Sequence, residues 1–173
     1  VNEFGTEEHA DVGETYVRMG WTCSRMGTYD QAMEYCMKSL KIRLKVLDEG
    51  HVDVGDSYHK IGWVTYSQGK YEEALDYYNK ALTIRINKLG EDHPDVATTY
   101  NNIAVVYEKQ GKYEEALDYY NKALTISINK LGEDHPDVAD TYNNIAVVYY
   151  SQGKYEEALD YYNKALTIRI NKL

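Results

Sequence analysis

Residues 100–141 read YNNIAVVYEKQGKYEEALDYYNKALTISINKLGEDHPDVADT, and residues 142–173 repeat this stretch with three changes: Glu108 becomes Tyr150, Lys109 becomes Ser151 and Ser127 becomes Arg169. One period of 42 residues earlier, residues 58–99 overlay it closely, and two periods earlier residues 16–57 form a diverged copy. A repeat of this length predicts a stacked array, because a single unit cannot bury its apolar face alone and a stack can.

Each unit reads as two helices. Helix A is predicted from about Pro94 to Gln110, where Val96, Tyr100, Ile103, Ala104 and Tyr107 keep the i, i+3, i+4, i+7 spacing of one helical face. Pro94 suits a first helical turn, and Asp92 and Asp95 put acids at the positive end of the helix dipole. Gly111 ends it, as Gly27, Gly69 and Gly153 do in the other units, since glycine takes the left-handed conformation without steric cost. Helix B is predicted from about Tyr113 to Leu131, with Tyr113, Ala116, Leu117, Tyr120, Ala123, Leu124, Ile128 and Leu131 as its buried stripe. Ala104, Ala116 and Ala123 recur in place, with Gly20 and Gly62 standing for the first of them, so the helices of a pair can approach closely. In the first unit Thr28 and Gln31 match a capping box, and Asp48-Glu49-Gly50 replaces the regular corner. That corner also has Val52 where Pro94 stands, so the first unit is expected to be the least stable.

The pattern Tyr100…Ile103-Ala104…Tyr107…Gly111…Tyr113…Ala116…Tyr120…Ala123 resembles the tetratricopeptide repeat. It departs from the common 34-residue form: Ile86, Ile128 and Ile170 replace the proline that usually ends helix B, and LGEDHPDV follows. Both departures resemble the 42-residue variety of kinesin light chains and related signalling proteins. The resemblance covers nearly the whole chain. It implies an all-α, right-handed superhelical solenoid of antiparallel helix pairs: four pairs, eight helices, at about 10–48, 52–89, 94–131 and 136–173. The sequence before the first pair looks like the tail of an earlier unit, and both ends look cut from a longer array. Near-identical units alone would suit a designed consensus. The idiosyncratic first unit, with Cys23, Met26, Met33, Cys36 and Met37, points instead to a natural array.

Composition narrows the function. The formal net charge is −9, which repels phosphate backbones and argues against nucleic acid as a partner. No apolar run approaches the roughly 20 residues that span a bilayer, so no membrane is expected. Two cysteines, Cys23 and Cys36, replace core tyrosines and read as buried reduced thiols rather than a disulfide, which fits a cytoplasmic setting. His9, His51, His93 and His135 recur once per unit in an H-x-D-V corner. One per repeat spaces them about 10 Å apart, too far for a shared metal, so they are read as helix-start structure. Nothing in the sequence arranges a nucleophile with a base or cradles a phosphate. No enzyme activity, cofactor or metal is expected.

In tetratricopeptide arrays the A helices line a concave groove that holds an extended peptide or a helix. Carried over, the resemblance places Glu14, Val17, Arg18, Trp21 and Arg25 in that groove, then Asp56, His59, Lys60, Trp63 and Tyr66. Thr98, Asn101, Asn102, Val105, Glu108 and Lys109 follow, and finally Asp140, Asn143, Asn144, Val147 and Tyr150. Helix B barely varies in the last three units, whereas helix A exchanges His59-Lys60 for Asn101-Asn102 and Trp63 for Val105. Side-chain amides of Asn101, Asn102, Asn143 and Asn144 can both donate to and accept from a ligand backbone. Trp21 and Trp63, with Arg18, Arg25, His59 and Lys60, would form an aromatic–cationic ledge for a protein or peptide ligand with acidic and aromatic or aliphatic residues. The competing reading is that the tryptophans only pack neighbouring A helices. Two other functions stand beside the interaction module: a structural array that self-associates head to tail, and a sensor segment of a larger signalling protein.

Overall fold

The computed structural model describes residues 10–171, and these form eight α-helices with no strand among them. The helices are α1 (Ala10–Arg25), α2 (Tyr29–Val46), α3 (Val52–Ser67), α4 (Tyr71–Leu89), α5 (Pro94–Lys109), α6 (Tyr113–Leu131), α7 (Pro136–Ser151) and α8 (Tyr155–Ile170). The chain divides into two compact units, one up to Lys88 and one from Leu89. In the first, α2 packs on α1 and on α3; in the second, α6 packs on α5 and on α7, and α8 packs on α7.

The histidine corners are helix caps. Nδ1 of His51, His93 and His135 each accepts the backbone N–H two residues on, from Asp53, Asp95 and Asp137, at 3.2 Å. An imidazole here does what a Ser or Asp oxygen does elsewhere, satisfying a donor that the first helical turn leaves without a partner. His9, expected to do the same for α1, lies outside the described residues. The A helices end where Gly69, Gly111 and Gly153 turn to φ between 73° and 77°. At Gly111 the returning chain closes the end, with Lys112 N–H on the Tyr107 carbonyl at 2.9 Å.

The first unit departs from this regularity in two places. The capping box at Thr28 does not form: its hydroxyl donates back to the Cys23 carbonyl at 3.0 Å, serving the end of α1 instead of the start of α2. Helix α2 stops one residue short of the ends of α4 and α6, with Leu47 extended, and Asp48 Oδ1 accepts from Gly50 N–H at 2.9 Å.

Alanines, branched aliphatic residues and, in the second and third pairs, the buried Tyr78 and Tyr120 build the core. Ala32, Cys36, Val54 and Ile61 are buried together in the first unit; Ala104, Ala116, Tyr120, Ile145 and Val148 are buried together in the second. Each fully buried Ile or Val contributes about 1.5–3 kcal/mol relative to exposure. A Cβ on Gly20 would lie 2.7 Å from Cys36 Sγ, which is why the smallest residue sits at that crossing. Val106 and Ile126 are also buried, outside the single stripe expected for their helices. A helix packed by neighbours on two sides buries two faces, and α6 between α5 and α7 does so. Both cysteines are free thiols, and burial pushes the Cys36 thiol up to about 11.

The tyrosine bias has a repeated cause. Tyr16–Tyr35, Tyr58–Tyr77, Tyr100–Tyr119 and Tyr142–Tyr161 each pair an A helix with its B helix, with ring centroids 5.8–6.3 Å apart. A lysine three residues after the B-helix tyrosine lies over each stack: Lys38, Lys80, Lys122 and Lys164. Aromatic pairs and cation–π contacts of this kind each contribute about 0.5–1.5 kcal/mol.

Candidate protein-interaction site

On α1 and α3 the structure brings three of the six ledge residues together, with Trp21 exposed and Trp63 and Lys60 half-buried. Trp21 and Trp63, one period apart, meet with ring centroids 5.2 Å apart. Lys60, three residues before Trp63, reaches across from α3 and holds its Nζ 4.8 Å above the Trp21 ring. Trp21 remains 41% exposed, so neither the partner tryptophan nor the lysine covers it. Arg18 stands one turn earlier on α1 and is held by Glu14 at 3.1 Å, and its side chain is largely exposed. Arg25 is exposed in the last turn of α1.

His59 departs from the groove expectation. It is 8% exposed, with its ring 5.4 Å from that of Tyr78 in an edge arrangement. Desolvation by this burial, helped by the charges of Arg85 and Lys60, lowers its pKa to about 3. A neutral, enclosed imidazole is a packing residue of the α3–α4 pair and has no surface to offer a ligand. Its counterpart Asn101 is half-buried and also serves the scaffold: its Nδ2 donates to Thr141 Oγ1 of α7 at 3.2 Å. Asn102, Asn143 and Asn144 on α5 and α7 are half-buried to the same degree as Asn101.

A second set of residues at these helix faces escaped the sequence reading. Arg43 of α2 is 3% exposed and ties three helices together. Its Nη2 reaches Glu14 Oε2 of α1 at 2.8 Å, and its Nη1 donates to the Asp53 carbonyl at 2.7 Å and to Ser57 Oγ at 3.0 Å on α3. One period on, Arg85 is buried and pairs with Asp56 at 2.6 Å; at the end of the chain Arg169 pairs with Asp140 at 2.8 Å but stays exposed. The acid always lies 29 residues before the arginine. In the third copy both partners change together: the arginine is Ser127 and the acid is Thr98. The signal was present in the sequence. Ser127/Arg169 is one of the three differences between the last two units, and its companion Thr98/Asp140 falls just before the compared stretch.

A tetratricopeptide repeat family model matches residues 11–87, 65–129 and 95–171. No match was found among curated proteins. Solved structures that are similar include BtubC (BKLC) from P. vanneervenii, at 27% identity and TM-score 0.85 over 95% of this chain and 66% of that one. A Podosopora anserina putative kinesin light chain with nearly identical TPR-like repeats is 20% identical, with TM-score 0.81 over 96% of this chain and 79% of that one. The apo form of RapI is 21% identical, with TM-score 0.82, covering 97% of this chain and 59% of that one. At those identities the last two likenesses concern the fold. The chain thus spans about two thirds or less of the BtubC and RapI chains. Among the described residues no helix is long and apolar enough to cross a membrane.

Proposed function

The chain belongs to the tetratricopeptide repeat family, whose repeats generally mediate protein–protein interaction, and we propose that it is a non-catalytic scaffold holding a partner's peptide or helix against the exposed faces of its A helices. The observation that carries this reading is the Trp21–Trp63–Lys60 cluster with Arg18 beside it. An exposed tryptophan with cations around it is a surface on which an acidic segment with an aromatic or aliphatic residue gains both charge attraction and apolar burial. On a chain of net charge −9 this patch is a local reversal of sign. The half-buried amides of Asn102, Asn143 and Asn144 suit a ligand backbone. His59 takes no part.

The test is a binding series with fluorescent peptides of alternating acidic and aromatic residues. Replacing Arg18 and Lys60 by Glu is expected to weaken binding by about tenfold or more, at about 1–2 kcal/mol for two contacts near the anchor. Unchanged affinity would remove the ledge from the account.

One observation favours a second reading, head-to-tail self-association. Helix α8 repeats the α6 stripe, yet Leu159, Leu166 and Ile170 are 53–60% exposed, and Tyr162 is 36% exposed where Tyr120 is fully buried. A second copy of the chain covering this face makes a heterologous contact that need not close. Light scattering across concentration separates the readings: a growing mass supports self-stacking, and a constant monomer mass removes it.

A further inference from the structure

The third copy lacks its arginine, and the space that residue would occupy is open. A cleft of about 280 Å³ lies between α5, α6 and α7, lined by Thr98, Asn101, Asn102, Val105, Ser127, Asp137, Asp140 and Asn144 together with Pro94, Ala97 and Leu131. Every lining position has a counterpart in the first copy, and the comparison explains the opening. Arg43 stands where Ser127 is, Trp21 where Val105 is, and Lys60 where Asn144 is. Three large side chains have become small ones at one junction, while the backbone that Arg43 grips is kept: Asp137 corresponds to Asp53, whose carbonyl takes the guanidinium at 2.7 Å.

Charge has changed with volume. Arg43, Lys60 and Arg18 of the first copy become Ser127, Asn144 and Asn102, all neutral. The carboxylates of α3, Asp53 and Asp56, persist as Asp137 and Asp140 on α7. No Lys or Arg lines the cleft. Asp140 is held by Arg169 at 2.8 Å and Asp137 lies 3.7 Å from His135 Nδ1, so one formal cation faces two carboxylates. Ser127, although 4% exposed, is a lining residue, so the polar floor of the vacated seat is in place.

We propose that this cleft is a seat for an arginine side chain of a partner segment, which enters from outside to the place that Arg43 fills from within in the first copy. The proposal rests on the reading that the A-helix faces of α5 and α7 hold a partner. Its size favours one side chain: the cleft falls just below the range of about 300–1,000 Å³ typical of small-molecule sites. Its donors and acceptors favour a guanidinium, whose planar fork matches a carbonyl and a carboxylate together. The seat therefore selects a basic residue, in contrast to the ledge on α1 and α3, which selects acidic ones.

The experiment is a titration of the ¹⁵N-labelled protein with Nα-acetyl-arginine amide, followed by NMR, with the isosteric neutral citrulline analogue as its control. The expected result is saturable shifts at Asn101, Asn102, Ser127 and Asn144 with millimolar affinity, and binding of citrulline at least about tenfold weaker. The double variant Thr98→Asp with Ser127→Arg rebuilds the internal pair and is expected to abolish the shifts. Absence of saturable shifts at these residues, equal binding of citrulline, or undiminished binding by the folded double variant would overturn the proposal. The citrulline comparison needs no variant, so it stands even where the double variant fails to fold. The ledge is tested by acidic peptides on α1 and α3, so either reading can fail while the other survives.

Discussion

The junction of α1, α2 and α3 and the junction of α5, α6 and α7 are built from the same repeat, yet one is filled and the other is open. In the first, Arg43 is buried and bonded to two neighbouring helices, and Trp21 and Lys60, which stand where Val105 and Asn144 do in the other, pack on each other. In the second, Ser127, Val105 and Asn144 leave a cleft that keeps Asp137 and Asp140, while the acid that holds the arginine elsewhere has become Thr98. The comparison teaches that near-identical units need not be equivalent units. Loss of a structural arginine together with its acid removes a tie without leaving a buried charge unpaired, and it frees a surface for recognition.

That contrast can be broken from either side. Arg43→Ser should have the largest effect, because it leaves Glu14 and the polar groups of α3 without their partner in a mostly buried setting. A loss of about 2–4 kcal/mol is expected, reduced from the fully buried case by the half-exposure of Glu14. Urea unfolding followed by tryptophan fluorescence reads this directly, since the only two tryptophans, Trp21 and Trp63, both lie in the first unit.

Acidification should act next, and on the same unit. His59 has a folded pKa of about 3, below its unfolded value near 6.5. Above pH 6.5 neither state takes the proton and stability is complete. As pH falls below 6.5 the unfolded chain binds a proton that the folded chain refuses, and stability declines until pH nears 3. At pH 5 the cost is on the order of 2 kcal/mol. His59→Asn, the residue found at Asn101 and Asn143, should flatten this part of the profile. Wild type and variant with parallel stability from pH 7 to pH 5 would contradict the burial of His59.

The smallest effects belong to the second unit. Arg169→Ser removes an exposed pair and should change stability by no more than about 1 kcal/mol, in contrast to Arg43→Ser. The pair Thr98→Asp and Ser127→Arg should leave stability unchanged or raise it by about 1 kcal/mol. Thermal melts followed by tyrosine circular dichroism measure both; a large loss in the double variant would show that the third junction does not tolerate the arginine of the others.

Much of this was legible in the sequence. The period placed the helix pairs, the left-handed glycines and the histidine corners, because each follows from local spacing and backbone chemistry. The capping box at Thr28 was not legible: whether a hydroxyl accepts an N–H at the start of one helix or donates to a carbonyl at the end of the last is decided by which group lies within reach. Register alone sets His59 toward the groove, whereas Tyr78 of α4 packs edge-on against its ring and the side chain is buried. The arginine ties were missed for the same reason. An arginine in a helix reads as a surface residue until a distant acid and a neighbouring carbonyl are seen to enclose it.

The most direct test of the central claim is a crystal structure of the protein soaked with Nα-acetyl-arginine amide. The account predicts a planar guanidinium between Ser127 and Asp137, donating to the Asp137 carbonyl at about the distance at which Arg43 meets Asp53. Water alone in that cleft, with the amide bound elsewhere or not at all, would contradict it.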